Sequence, residues 1–101
     1  MGCTAIGGGG SIAQRRALYY SGHVQGVGFR YSAYRLAQSY DVTGFVRNLP
    51  DRRVHLVVEG RSSEIDQFLA DLRREMSGNI HHVDTDSLAP SGGFSTFEVS
   101  Y

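Results

Sequence analysis

The stretch Gly22-His23-Val24-Gln25-Gly26-Val27-Gly28-Phe29-Arg30 stands between a strand-like run and a helix-like run, with three glycines in seven positions and an arginine at the helix entrance. Glycines let the backbone turn its N–H groups inward as an anion-binding nest, and the helix that follows adds the positive end of its dipole. Arg30 adds a planar guanidinium able to grip two oxygens of a phosphate or carboxylate. The stretch therefore predicts a phosphate cradle formed by Gln25, Gly26, Val27 and Gly28 with Arg30. The competing reading is a plain strand-to-helix turn whose glycines serve tight packing.

Outward from the cradle the hydrophobic period alternates. Arg15 to Ser21, with Leu18, Tyr19 and Tyr20, reads as a strand leading in. Phe29, Ala33, Leu36, Ala37 and Tyr40 recur at helical spacing, which predicts a helix ending before Asp41. Thr43 to Asn48 is a second strand, Pro50-Asp51 a turn, and Arg53 to Glu59 a third strand with Val54, Leu56 and Val58 on one face and His55, Val57 and Glu59 on the other. Ser63-Glu64-Ile65-Asp66 resembles a capping box before the amphipathic stripe Ile65, Phe68, Leu69, Leu72 and Met76, with Arg73 and Arg74 at its end and Gly78 as its stop. Ile80 to Ser87 reads as a fourth strand, and after Pro90-Ser91-Gly92-Gly93 a last alternating run holds Phe97, Val99 and Tyr101. The order β-α-β-β-α-β, with a short extra strand, predicts an α+β ferredoxin-like sandwich: an antiparallel sheet with two helices on one face.

Composition narrows the chemistry. The chain has 101 residues and a formal net charge of zero, which fits one domain without the broad basic surface of a nucleic-acid binder. All ten basic residues are arginine, which removes lysine Schiff bases, lysine nucleophiles and the P-loop lysine. Cys3 is the single cysteine, so no internal disulfide is possible, and a reducing, cytoplasmic setting is expected. Residues 1–14 carry four consecutive glycines and no period, and read as a flexible leader ahead of a domain over 15–101. No run is apolar for long enough to span a membrane.

The cradle motif resembles the signature of the acylphosphatase family, and Gly44-Phe45-Val46-Arg47-Asn48-Leu49-Pro50-Asp51, about a dozen residues beyond the first helix, is similar to that family's second signature. The resemblance extends over residues 15–101, through Glu59-Gly60, Ile65-Asp66-Gln67-Phe68-Leu69 and the aromatic end at Phe97 to Tyr101. It implies hydrolysis of a carboxyl–phosphate anhydride to a carboxylate and inorganic phosphate. By the same resemblance Arg30 binds the phosphate and Asn48 positions the attacking water. The expectation is a metal-independent monomer without cofactor, acting on a small acyl phosphate, inhibited by its phosphate product, and bound to neither nucleic acid nor membrane.

The residues suit such chemistry on their own terms. An acyl phosphate carries a good leaving group, so an enzyme needs chiefly to hold the phosphoryl group, neutralise its oxygens and place a water in line. Asn48 offers a donor and an acceptor on one neutral head. Other residues have simpler readings: His23 as a solvent-facing loop histidine, Tyr19, Tyr20, Phe45 and Phe97 as core, and His81-His82 as strand neighbours that face opposite ways and cannot chelate together. The alternative from another class is a non-catalytic ferredoxin-like module binding RNA or a small anion. A further alternative, the acylphosphatase-like domain of larger carbamoyl-transfer maturation proteins, typically has proline after the motif arginine, where this chain has Tyr31. The stand-alone enzyme is the expectation. Two departures from the family pattern stand out: Asp51-Arg52-Arg53 replaces the usual Asp-Gly hairpin tip, and Ser77 to His82 replaces a Gly-Pro-rich junction.

Overall fold

The computed structural model describes residues 13–90 and 92–100. Most of the expected leader, residues 1–12, lies outside them, as do Ser91 and Tyr101. Five strands and two helices follow one another: β1 (Ala13–Gly22), α1 (Phe29–Ala37), β2 (Val42–Asn48), β3 (Val54–Arg61), α2 (Ser62–Glu75), β4 (Ile80–Leu88) and β5 (Phe97–Val99). The strands form one sheet in the order β4-β1-β3-β2-β5. The pairs β1–β3, β1–β4 and β2–β3 are antiparallel, whereas β5 runs parallel to β2, with Gly44 opposite Phe97 and Val46 opposite Val99. The sheet is therefore mixed rather than wholly antiparallel. The segment after β4 returns to the far edge and lays β5 there in the same direction as β2.

Both helices bury their apolar stripes on one face of the sheet. Leu18, Tyr20, Val46, Val54, Leu56 and Val58 from the strands meet Phe29, Ala33 and Ala37 of α1 and Ile65, Phe68 and Leu72 of α2 in one core. Phe68 packs edge-on against Phe97 at 5.6 Å between ring centres, which draws β5 into that core. The other face is covered more than alternation suggests, because every residue of β3 from Val54 to Glu59 is buried. On that side His55 stacks on Tyr19 at 4.5 Å and meets the edge of Phe45 at 5.4 Å. The segment after β4 lies over the rest: Gly92 N–H donates to Glu59 at 3.0 Å and Phe94 packs on Phe45.

Element boundaries differ from the sequence reading where tertiary contacts intervene. β1 begins at Ala13, opposite Arg61, two residues before Arg15. α1 ends at Ala37, and its chain leaves through a turn in which Tyr40 N–H donates to the Ala37 carbonyl. α2 starts at Ser62, directly after the last residue of β3, with Arg61 as its N-cap and no side-chain cap bond from that residue. The Ser63 capping box is thus not the helix start, and its would-be reciprocal acid, Asp66, pairs with Arg16 at 2.6 Å instead. At the other end the Met76 carbonyl accepts from the N–H groups of both Asn79 and Ile80, which closes the helix two residues before Gly78 was expected to.

Candidate active site

The cradle loop is shaped by two left-handed residues, Gly26 at φ 77° and Gly28 at φ 80°. A Cβ at either position meets no atom within 4 Å, so backbone conformation, not space, requires glycine there. Gly28 caps α1, and its carbonyl accepts the Ser32 N–H at 2.9 Å. The first amides of a helix have no acceptor within it, and the first turn of α1 contains no acidic residue to offset its positive dipole end. The start of the loop is pinned separately, by His23 N–H donating to the Asn79 carbonyl at 3.0 Å.

A cavity of about 200 Å³ opens at this helix start, lined by Gly26, Gly28, Arg30 and Asn48, with Val24, Phe29, Tyr31 and Val99 as its largely apolar walls. Asn48 reaches it from the end of β2, level with Val54 and Tyr20 across the sheet, on the face that carries the helices. Arg30 is half-buried, and its Nη1 donates to the Ser100 carbonyl at 3.3 Å, which ties the guanidinium to the chain just beyond β5. Parallel pairing of β5 with β2 places Val99 beside Val46, two residues from Asn48. The arrangement offers a backbone concavity, one fixed positive charge and one neutral donor–acceptor head within a single small space.

Of the sequence-selected residues, Gly26, Gly28, Arg30 and Asn48 meet in this cavity. Val27 packs partly against the core. The Gln25 side chain turns to the β2–β3 hairpin, donating to the carbonyls of Leu49 at 2.8 Å and Arg53 at 2.9 Å, which leaves only its backbone for a cradle role. His23 is exposed and does not line the cavity. The wall residues Val24, Tyr31 and Val99 escaped the sequence reading. For Val99 the alternation of its run was visible, but its strand partner was not.

The hairpin tip keeps its expected turn but with an unusual residue. Arg52 N–H donates to the Leu49 carbonyl at 3.1 Å and Leu49 N–H to the Arg53 carbonyl at 2.8 Å, with Arg52 itself at φ 74°. Next to it, on the far face of the sheet, His55 is held below the ordinary histidine value by burial first and then by the charges of Arg47 and Arg53. Arg47 Nε donates to His55 Nδ1 at 3.3 Å, a bond that requires that nitrogen to be unprotonated. Among the described residues no three His, Cys, Asp or Glu side chains gather to hold a metal ion, and His82 pairs with Asp84 rather than His81. No helix among them is long and apolar enough to cross a membrane.

The sequence matches the Acylphosphatase family over residues 16–99. It is 44% identical over 87 residues to an acylphosphatase of Methylococcus capsulatus (strain Bath), covering 85% of this chain and 95% of that one. Among solved structures it is similar to the acylphosphatase from Bacillus subtilis, with a TM-score of 0.75 and 25% identity over 89% of this chain and all of that one. It is also similar to a segment of HypF from T. kodakarensis, with a TM-score of 0.75 and 31% identity over 87% of this chain but 12% of that one.

Proposed function

The chain belongs to the acylphosphatase family, and on that premise we propose that the Arg30–Asn48 cavity hydrolyses acyl phosphates without a metal ion. The observation that carries the proposal is the meeting of Arg30, Asn48, Gly26 and Gly28 in one cavity at the start of α1. The phosphoryl group sits at the helix start, where the amide N–H groups of Gln25 to Gly28 and the first turn donate to its oxygens and Arg30 neutralises them. Asn48 orients a water opposite the leaving carboxylate. The water oxygen forms a bond to phosphorus as the bond from phosphorus to the bridging oxygen breaks; the electron pair leaves with the carboxylate. The water proton passes to a phosphoryl oxygen of the substrate, so no side chain changes charge.

The same cradle takes inorganic phosphate, which is a competitive inhibitor on this reading. We assign the chain as a monomer with no bound cofactor, working in the cytoplasm and binding neither nucleic acid nor membrane. The mechanism is tested with acetyl phosphate in the presence of EDTA, comparing the native protein with Arg30→Lys. Turnover persists in chelator, and the variant folds but loses most activity, since an ammonium cannot reproduce the bidentate fork. Loss of native activity in EDTA with recovery on adding a divalent cation refutes metal independence, and a folded Arg30→Lys protein with normal turnover refutes the role of Arg30.

A further inference from the structure

Gln25 belongs to the cradle by sequence, yet its side chain serves the hairpin. Its one Nε2 amide donates to the Leu49 and Arg53 carbonyls at 2.8 and 2.9 Å. These two oxygens are the ones that close the turn, the first already accepting from Arg52 N–H and the second from Leu49 N–H. A carbonyl has two lone pairs and a primary amide two N–H groups, so one side chain supplies the second bond to both oxygens. The tip between them holds Arg52 in a left-handed conformation that side chains disfavour, so the turn gains from being held from outside. The residue immediately before the turn is Asn48.

We infer that Gln25 is a positioning residue: it locks the hairpin that carries Asn48 to the loop that precedes Arg30, and so sets the spacing between the water-orienting and phosphate-holding halves of the cavity. This rests on the hydrolase reading above. The loop has three fixed points: His23 on Asn79, Gln25 on the hairpin, and Gly28 at the helix start. Only the middle one reaches the strand end that bears Asn48. Displacing a reacting group by about 1 Å costs on the order of 100-fold in rate, so a loosened hairpin shows in turnover before it shows in binding.

The test uses Gln25→Met, which keeps length and volume but removes both donors, made in the native chain and in an Arg52→Gly background whose turn no longer strains its tip. With acetyl phosphate, well below each protein's melting temperature, the expected result is a fall in kcat of roughly 10-fold or more with the inhibition constant for inorganic phosphate changed by less than about 3-fold. In the Arg52→Gly background the loss is smaller, because the two positions hold the same turn. The side-chain amide resonance of Asn48 in a 15N spectrum shifts on Gln25→Met, a readout that needs no activity and so separates failure of the brace from failure of the hydrolase reading. A folded Gln25→Met protein with native kcat and an unmoved Asn48 resonance overturns the inference, as does an equal loss of kcat and phosphate affinity.

Discussion

Arg52→Gly is expected to stabilise this domain, against the usual direction for a substitution to glycine. Arg52 sits at φ 74° with its side chain exposed. A side chain in that region costs about 1–2 kcal/mol in the folded state. Glycine removes that cost but gives the unfolded chain extra freedom worth roughly 0.5–1 kcal/mol, which leaves a net gain centred on about 0.75 kcal/mol. The Arg52 N–H bond to Leu49 is backbone and survives, and the bonds that Arg53 donates to the Asp51 carboxylate, at 3.2 Å from its N–H and 2.7 Å from its Nε, do not involve Arg52. For a domain of this size the gain corresponds to a rise in melting temperature of about 2–8 °C. Calorimetry gives the shift, and urea titration gives the free energy. With the Gln25 bonds intact, kcat for acetyl phosphate is unchanged. A melting temperature that stays level or falls refutes the claim that backbone strain at Arg52 is stored in the turn.

Asn48→Ala is expected to lower kcat far more than it raises KM, the pattern of an interaction made chiefly in the transition state, and steady-state kinetics with acetyl phosphate distinguishes this from a substrate ligand, which moves KM. Alkyl phosphate monoesters are expected to turn over very slowly beside acyl phosphates, because their poor leaving groups demand general-acid catalysis, a step that the proposed mechanism does not include; comparable rates for the two in one assay contradict the mechanism. Because His55 is depressed, the folded protein binds fewer protons than the unfolded chain, so its share of stability is complete above about pH 6.5 and is lost as the pH falls below it. The urea midpoint therefore drops between about pH 7 and pH 5.5, and His55→Phe, which keeps a ring between Tyr19 and Phe45, flattens that drop.

The fold was legible wherever a single period governs a segment. The stripes Phe29-Ala33-Ala37 and Ile65-Phe68-Leu72 mark faces that do pack on the sheet, and the alternation of Val54, Leu56 and Val58 marks the side they pack on. What escaped depends on partners remote in sequence. His55, Val57 and Glu59 read as the outward row of β3 and are buried, because Tyr19, Phe45 and the segment carrying Gly92 and Phe94 close over them. Three residues, Phe97–Val99, cannot announce whether they pair parallel or antiparallel, since both directions use the same alternation. The Ser63 capping signal failed because β3 runs into α2 with no linker, so the cap position falls on Arg61, the last residue of the strand. At the site, Arg30 and Asn48 were readable as chemistry; Gln25 was not, since an amide between glycines can face an anion or a pair of carbonyls with equal chemical sense.

Why Arg30 and Asn48 meet follows from strand order more than from either motif. β3 lies between β1 and β2 and is antiparallel to both, so β1 and β2 run in the same direction and finish at the same end of the sheet. The loop leaving β1 and the last residue of β2 are thereby brought together across one strand, with Tyr20, Val54 and Asn48 in a row. Parity then decides which side Asn48 faces. Val42, Val46 and Asn48 share the helix side of β2, whereas Arg47 meets His55 on the other. A slip of one residue in the β2–β3 register would send Asn48 to the far face and bring Arg47 to the cavity. The turn from Leu49 to Arg53 fixes that register, so the bonds from Gln25 hold the parity of the strand along with the position of its end.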